Sequence, residues 1–303
     1  MSLTIVGTIA FDSVKTPFGE VDRVIGGAAT FTAWAASYLY NHIRLVSIIG
    51  DDWPSSELQK MHTRGIDLEG VKIVEEGKSF FWAGEYDKNM IDRTTLTTEL
   101  NVLDDFDPVL PPLYRNSDFL MLGNLTPQIQ IRVMEQMNDR PGFIAMDTMN
   151  FWIDIARDDL KEAIRRVDLL SINDEEARLL SGKYNLVEAA ENILNMGVRY
   201  LIIKKGEHGA LLFGENKMFF APALPLSSIT DPTGAGDSFA GGLMGYLASQ
   251  SSVDFQTMKK GLIYGAVMGS FCVEDFSLRK LQELDKEIIE NRANELMELS
   301  RVD

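Results

Sequence analysis

The run Asp231-Pro-Thr-Gly-Ala-Gly-Asp237-Ser-Phe-Ala-Gly-Gly242 sets a carboxylate directly behind a glycine-rich turn, at the start of a helix-like segment. The first amides of a helix lack intrahelical partners, and its positive dipole end draws anions, so the N–H groups of Gly234, Ala235 and Gly236 can point at phosphate oxygens. Asp237, in the first turn, is then placed to accept the proton of an attacking hydroxyl. That is equipment for moving a phosphoryl group. Close helix packing would explain Gly241, Gly242 and Gly245, but it leaves Asp237 without a purpose.

Two other glycine-rich motifs make different positional demands. A Walker A loop needs Gly-x-x-x-x-Gly-Lys-Ser/Thr; the chain has Gly77-Lys78-Ser79, but Lys72 stands where the first glycine of that loop must be. A dinucleotide fingerprint needs a third glycine where Phe239 stands, and it belongs in an opening βαβ unit rather than far along the chain.

The elements that must position this turn can be read from patterning. Apolar runs such as LTIVGTIAF, IRLVSIIG, SDFLMLGN, GFIAMD, VDLLSIN and RYLIIKKG alternate with helix-like FTAWAASYLY, IQIRVMEQM and LVEAAENILNMG. That rhythm predicts a mainly parallel sheet covered on both faces, with ligands at the carboxyl ends of its strands. No linker, low-complexity tract or internal repeat divides it, so one continuous domain over residues 1–303 is expected. Two extended segments, about 12–25 and 71–98, break the rhythm. Within the second, Ser79–Asp87 and Met90–Thr98 read as a hairpin about Lys88-Asn89. Together they suggest a small β-strand lid that closes over the site and excludes water; an edge extension of the main sheet is the alternative.

With 303 residues, 45% of them hydrophobic and 24% charged, the chain can bury one large core. A formal charge of −16 argues against nucleic acid as a partner. No apolar run approaches a membrane span, the start lacks a basic region, and a lone cysteine, Cys272, suits a reducing compartment; the expected location is cytoplasmic. Three scattered histidines and one cysteine give no His- or Cys-built metal centre.

Motifs far from the glycine turn fall in an order that resembles the ribokinase-like (PfkB) carbohydrate and nucleoside kinases. The turn resembles the C-terminal signature of that family, and Gly7-Thr-Ile-Ala-Phe-Asp12 its opening strand. Ile25-Gly26-Gly27-Ala-Ala-Thr-Phe-Thr-Ala33 looks like its di-glycine signature, and Gly50-Asp51-Asp52 with Arg64-Gly65-Ile66-Asp67 is similar to another segment. Asn173-Asp-Glu-Glu176 resembles its N-x-x-E element, and Lys204-Lys-Gly206-Glu-His-Gly209 its nucleotide-side strand-turn-strand. The resemblance implies a ribokinase-like three-layer α/β/α sandwich. It also implies that Asp12, Gly26 and Gly27 meet substrate hydroxyls, and that Lys204, Gly206, Gly209 and Thr233 meet the nucleotide. Asn173 and Glu176 would organise Mg²⁺ and its waters, and Asp231 a monovalent cation such as K⁺.

Each constellation also has a plainer reading. Asn173 and Glu176 fit a helix capping box, and the two roles are compatible. Gly26 and Gly27 fit a tight turn, Lys204 an exposed hairpin end, Asp12 a surface acid. Arg93 and Arg23 face either the phosphoryl group and substrate or only solvent. Two departures bear on the acceptor: Phe31 replaces an Asn that usually meets the sugar, and the Asp-x-Asn element appears as Asp147-Thr-Met-Asn150, one position longer. Phe11, Phe31, Phe81 and Trp82 would instead supply a stacking wall for a base, an inositol or an unusual sugar face.

The sequence thus points to an ATP- and Mg²⁺-dependent kinase that phosphorylates a hydroxyl of a small sugar or polyol. A nucleoside kinase of the same fold and a catalytically silent nucleotide- or sugar-binding regulator are the alternatives. An exposed lid strand offers an edge through which a homodimer can form.

Overall fold

Short runs of Leu, Ile, Val and Phe become strands in the computed structural model, which describes residues 1–90, 93–299 and 301. The strands are β1 (Leu3–Val6), β2 (Ala10–Thr16), β3 (Gly19–Gly26), β4 (Ile43–Gly50), β5 (Ile66–Val74), β6 (Phe80–Tyr86) and β7 (Arg93–Glu99). They continue with β8 (Phe119–Leu122), β9 (Phe143–Asp147), β10 (Leu169–Asn173), β11 (Tyr200–Lys204), β12 (Ala210–Gly214) and β13 (Lys217–Ala221). Between them lie α1 (Ala28–Ala36), α2 (Ser55–Thr63), α3 (Pro127–Glu135), α4 (Asn150–Ile155), α5 (Arg157–Arg166), α6 (Asp174–Ser181) and α7 (Leu186–Leu194). The chain ends in α8 (Ala235–Ala248), α9 (Phe255–Cys272), α10 (Arg279–Gln282) and α11 (Lys286–Leu299).

Nine strands form one sheet in the order β13-β12-β11-β10-β9-β8-β1-β4-β5, parallel from β11 to β5, with β12 antiparallel to both its neighbours. Alternate residues of each strand enter opposite cores. Leu3, Ile5, Phe143 and Leu169 pack with α1, α8 and α9, whereas Val6, Ile144 and Leu170 pack with α3, α5, α6 and α7. Burial on both faces is why these strands read as continuous apolar runs. The result is the three-layer α/β/α architecture expected from the alternation.

The other four strands form a separate sheet, β3-β2-β6-β7. Its boundaries differ from the expectation. Val71–Val74 belongs to β5, held in parallel register against Ser47–Gly50 of β4, because a parallel partner satisfies its backbone there. The hairpin connection is also longer than two residues: Tyr86 pairs with Arg93, and Ile91 and Asp92 of the expected strand lie outside the described residues.

Small residues let α8 approach its neighbours. A Cβ on Gly241 would overlap the carbonyl oxygen of Thr32 in α1 and stand 2.7 Å from Ala35 Cβ, and one on Gly242 would stand 2.5 Å from the Tyr264 carbonyl oxygen in α9. This contact seats the first turn of α8 over the sheet. Gly241→Ala should therefore lower stability by about 1–3 kcal/mol through overpacking. Urea unfolding checks it, and an unchanged midpoint would mean that the helices separate without cost.

Candidate active site

The glycine turn lies at the N-terminus of α8. Gly234 adopts φ 78°, the left-handed region, and acts as the N-cap. Ser238 N–H closes the first turn on the Gly234 carbonyl at 2.8 Å, while Ala235 N–H leans back on Pro232 O at 3.2 Å. A Cβ on Gly234 would stand 2.6 Å from the ring of Phe31, which is 1% exposed. Phe31 is thus no substrate contact: it is shut in the core beneath the turn, because α1 carries it inward against α8. A Cβ on Gly236 would stand 3.2 Å from Lys204 Nζ, so the ammonium reaches the edge of the turn across the space that glycine leaves open. Lys204 ends β11, directly beside Asn173 at the end of β10.

Carboxylates crowd the same place. Burial pushes the Asp237 carboxyl above its ordinary range, against the opposing pull of Lys204 and Arg93. Asp147, buried at the end of β9, is raised well above that range by burial and then by the charge of Asp237, with Lys204 opposing. Glu176 is raised by burial against Lys204, and Asp231 by burial against its bonds to Thr233. Asp12 is pushed up to about 7 by burial, then by Asp231, while Gly27 N–H and Arg93 favour its ionised form. A base whose affinity for a proton is raised toward neutrality suits abstraction from a hydroxyl.

The di-glycine pair explains how Asp12 is held. A Cβ on Gly26 would overlap the Asp12 carboxylate, and Gly27 takes φ 92° at the N-cap of α1 while its N–H donates to that carboxylate. The pair is a seat for Asp12.

The expected wall of aromatics divides. Asp12 and Trp82 are register partners on adjacent parallel strands, so their side chains share a face; Phe11 and Phe81 are partners one residue earlier and share the opposite face. Trp82 lies over Gly84, whose Cβ would overlap the indole, and Arg93 stands 5.0 Å from its ring centroid. On the other face Phe11 packs on Trp53 at 4.8 Å. Arg23 stacks 4.3 Å from the Phe11 ring and pairs with Asp52 at 2.5 Å. Arg93 and Arg23 therefore part: Arg93 acts electrostatically on Asp12, Asp237 and Glu176, and Arg23 is bound in an ion pair elsewhere.

Asn173 and Glu176 do form a capping box. Asn173 Oδ1 accepts Glu176 N–H and Glu176 Oε2 accepts Asn173 N–H, each at 2.7 Å, which occupies one oxygen of each side chain. Glu176 is nevertheless 8% exposed and close enough to Lys204 to feel its charge. Gly206 and Gly209, both at positive φ, shape the 3₁₀ turn that follows Lys204; Gly206 borders open space and Gly209 packs on Ala221 and Pro222. Asp231 Oδ1 accepts Thr233 N–H at 2.9 Å. Among the described residues no three His, Cys, Asp or Glu side chains are grouped to hold a metal ion. A Mg²⁺ ion beside Glu176 would draw most of its ligands from phosphate and water, as that ion commonly does.

Two residues at the site carry little local signal. Asp147 ends an apolar run and in the sequence reads only as the first residue of a stretched Asp-x-Asn element; its Oδ1 has no partner in the protein among the described residues. Tyr86 reads as one more aromatic in a strand, yet its hydroxyl accepts a hydrogen bond from Thr233 Oγ1 at 3.2 Å.

A three-layer fold of this topology, with a glycine turn opening α8 and buried acids near its strand ends, suits a small-molecule kinase. The sequence profile of the pfkB family carbohydrate kinases matches residues 4–283, and the chain belongs to that family of phosphotransferases. It is similar to a cytidine kinase of Thermococcus kodakarensis, 28% identical over 251 residues, which spans 81% of this chain and 88% of that one. The fold is shared with a Burkholderia thailandensis nucleoside kinase solved in complex with inosine, at 21% identity and TM-score 0.79 over 98% of this chain and 99% of that one. It is also shared with a Vibrio cholerae fructokinase solved with fructose, ADP and calcium, at 17% identity and TM-score 0.78 over 97% and 99%. Among the described residues no helix is long and apolar enough to cross a membrane.

Asp12 makes folding pH-dependent in a stated direction. Its folded pKa of about 7 lies above the ordinary 3.8, so between those values the folded state holds a proton that the unfolded state releases. Stability contributed by Asp12 is complete below the lower value and is lost as pH rises through the higher one, by about 4 kcal/mol in all. The stability of Asp12→Asn relative to the parent should therefore increase between pH 5 and pH 7.5 in urea unfolding; an equal difference at both pH values would contradict the shift.

Proposed function

We propose that this kinase transfers the γ-phosphoryl group of ATP to a hydroxyl of a nucleoside, with Asp237 as general base. The observation that carries the reading is the pairing of Asp12 with Trp82 on one face of the second sheet. A carboxylate offers two acceptor oxygens to ribose hydroxyls, and an indole beside it offers a flat apolar ring on which a base can stack. The similarity to a cytidine kinase supports the same acceptor class.

Asp237 orients and deprotonates the acceptor hydroxyl. The amides of Gly234, Ala235 and Gly236 receive the charge of the transferring group, and Lys204, at the open side of Gly236, neutralises part of it. Asn173 and Glu176 are the residues we assign to Mg²⁺ through water, and Asp231 to a monovalent cation such as K⁺. Bound Mg²⁺ would offset charge on the β- and γ-phosphate oxygens. Catalysis on this account is positioning plus electrostatics. Dependence on ATP suits a cytoplasmic protein. The second sheet would act as a lid, and β7, its fully exposed outer strand, would pair with a second copy to form a homodimer. Light scattering at working concentration should then give a dimer mass, and a monomer mass would count against the pairing.

Coupled ADP release from Mg·ATP against nucleosides, sugars and polyols tests the function. Turnover with a nucleoside, reduced roughly 10²–10⁴-fold in Asp237→Asn, is the expected result. Turnover with a simple sugar or polyol would keep Asp237 and change the acceptor. Near-normal turnover in the variant would remove the base assignment. ATP binding without any acceptor-dependent turnover would favour a silent regulator.

A further inference from the structure

Thr233, immediately ahead of the glycine turn, is held at three atoms. Its N–H donates to Asp231 Oδ1 at 2.9 Å, its carbonyl oxygen accepts from Cys272 Sγ at 3.4 Å, and its hydroxyl donates to Tyr86 at 3.2 Å. Asp231 and Cys272 belong to the same layer as α8. Tyr86 is the last residue of β6, in the second sheet.

Tyr86 is 8% exposed, and its ring packs with Val14 of β2 and Phe276, so the hydroxyl cannot leave Thr233 for solvent without opening a small cluster. Arg93, its register partner on β7, also reaches that hydroxyl. Tyr86 stands four residues along the strand from Trp82, hence on the face that carries Asp12. The second sheet has another bond to the segment before the turn, from Thr16 Oγ1 to Thr230 O at 3.0 Å, but that one ends three residues short of Thr233. Tyr86 is thus a contact by which a change at the acceptor face can reach the backbone that aims Gly234 and Gly236.

We propose that Tyr86 is a positioning residue: through Thr233 it couples the sheet carrying Asp12 and Trp82 to the phosphate-facing turn, so that a seated acceptor fixes the amides in their productive direction. The inference rests on the reading that this turn receives the transferring phosphoryl group. Backbone donors act only when aimed at the charge that develops, and an ångström of drift is enough to lose most of their effect.

The test compares Tyr86→Phe, Thr233→Val and the double variant on acceptor-dependent turnover, or on intrinsic ATP hydrolysis should the protein use no acceptor of the panel. Tyr86→Phe keeps the ring and its packing. It should lower kcat about tenfold while leaving KM for ATP within about twofold and lowering the melting midpoint by only a few degrees, as the loss of one buried hydrogen bond does. Adding it to Thr233→Val should cost nothing further, because both remove one link. Two results would overturn the proposal: turnover of Tyr86→Phe within about twofold of the parent, or losses that multiply in the double variant. A fall in melting midpoint matched by the packing variant Phe276→Leu would also overturn it, by assigning the loss to the cluster. Failure of the nucleoside reading shows separately, in the acceptor preference of the unaltered protein.

Discussion

Five acids, Asp12, Asp147, Glu176, Asp231 and Asp237, are joined by pairwise repulsion where the second sheet meets the main body, and burial raises every one of them. The cations that oppose this are Lys204 and Arg93, one from each sheet. Desolvated negative charge is costly unless it is paired, bonded or protonated, so the site must hold protons, or receive positive charge, at neutral pH. A phosphate chain entering this place alone would meet like charge. With a divalent cation it would bring its own compensation, and a helix N-terminus such as that of α8 favours anions.

Glycine is what makes that density of charge geometrically feasible. Gly26 leaves the space that the Asp12 carboxylate fills, Gly234 lets the chain turn over the Phe31 ring, and Gly236 keeps open the approach of Lys204. These are three different uses of a missing side chain: a seat, a turn and a passage. Further along α8 the same residue type serves helix packing, where Gly241 and Gly242 let α1 and α9 come close enough to fix the direction of the first turn.

The second sheet matters because it supplies part of the charged cluster. Asp12 lies on β2 and Arg93 on β7, whereas Asp237 and Lys204 belong to the three-layer body. The two parts are stitched near the turn by the bond from Thr16 to Thr230, by Ser277 Oγ donating to the Ile25 carbonyl at 2.5 Å, and by Tyr86 with Thr233. A site divided between two sheets is complete only when both are in place, which is how kinases of this class can keep water from the phosphoryl group.

Much of this was legible along the chain. Alternating apolar runs and helix-like segments fixed the layered architecture, because a strand buried on both faces has to be apolar throughout. The Asp231–Gly242 run declared its local structure, since a helix N-terminus and its first-turn acid are set by neighbours in sequence. The capping of Asn173 by Glu176 was equally local. Register and burial were not local. Whether Phe31 faces a ligand or the core depends on where α1 meets α8, and whether Trp82 stands with Asp12 or with Phe11 depends on how β6 is aligned beside β2. A shift of one residue would have reversed the second answer, because side chains on a strand alternate between faces. Sequence by itself determined the class of chemistry and the layers that hold it. Tertiary structure alone decided which acids share the site, which cations answer them, and that Tyr86 reaches Thr233 across 147 positions of chain.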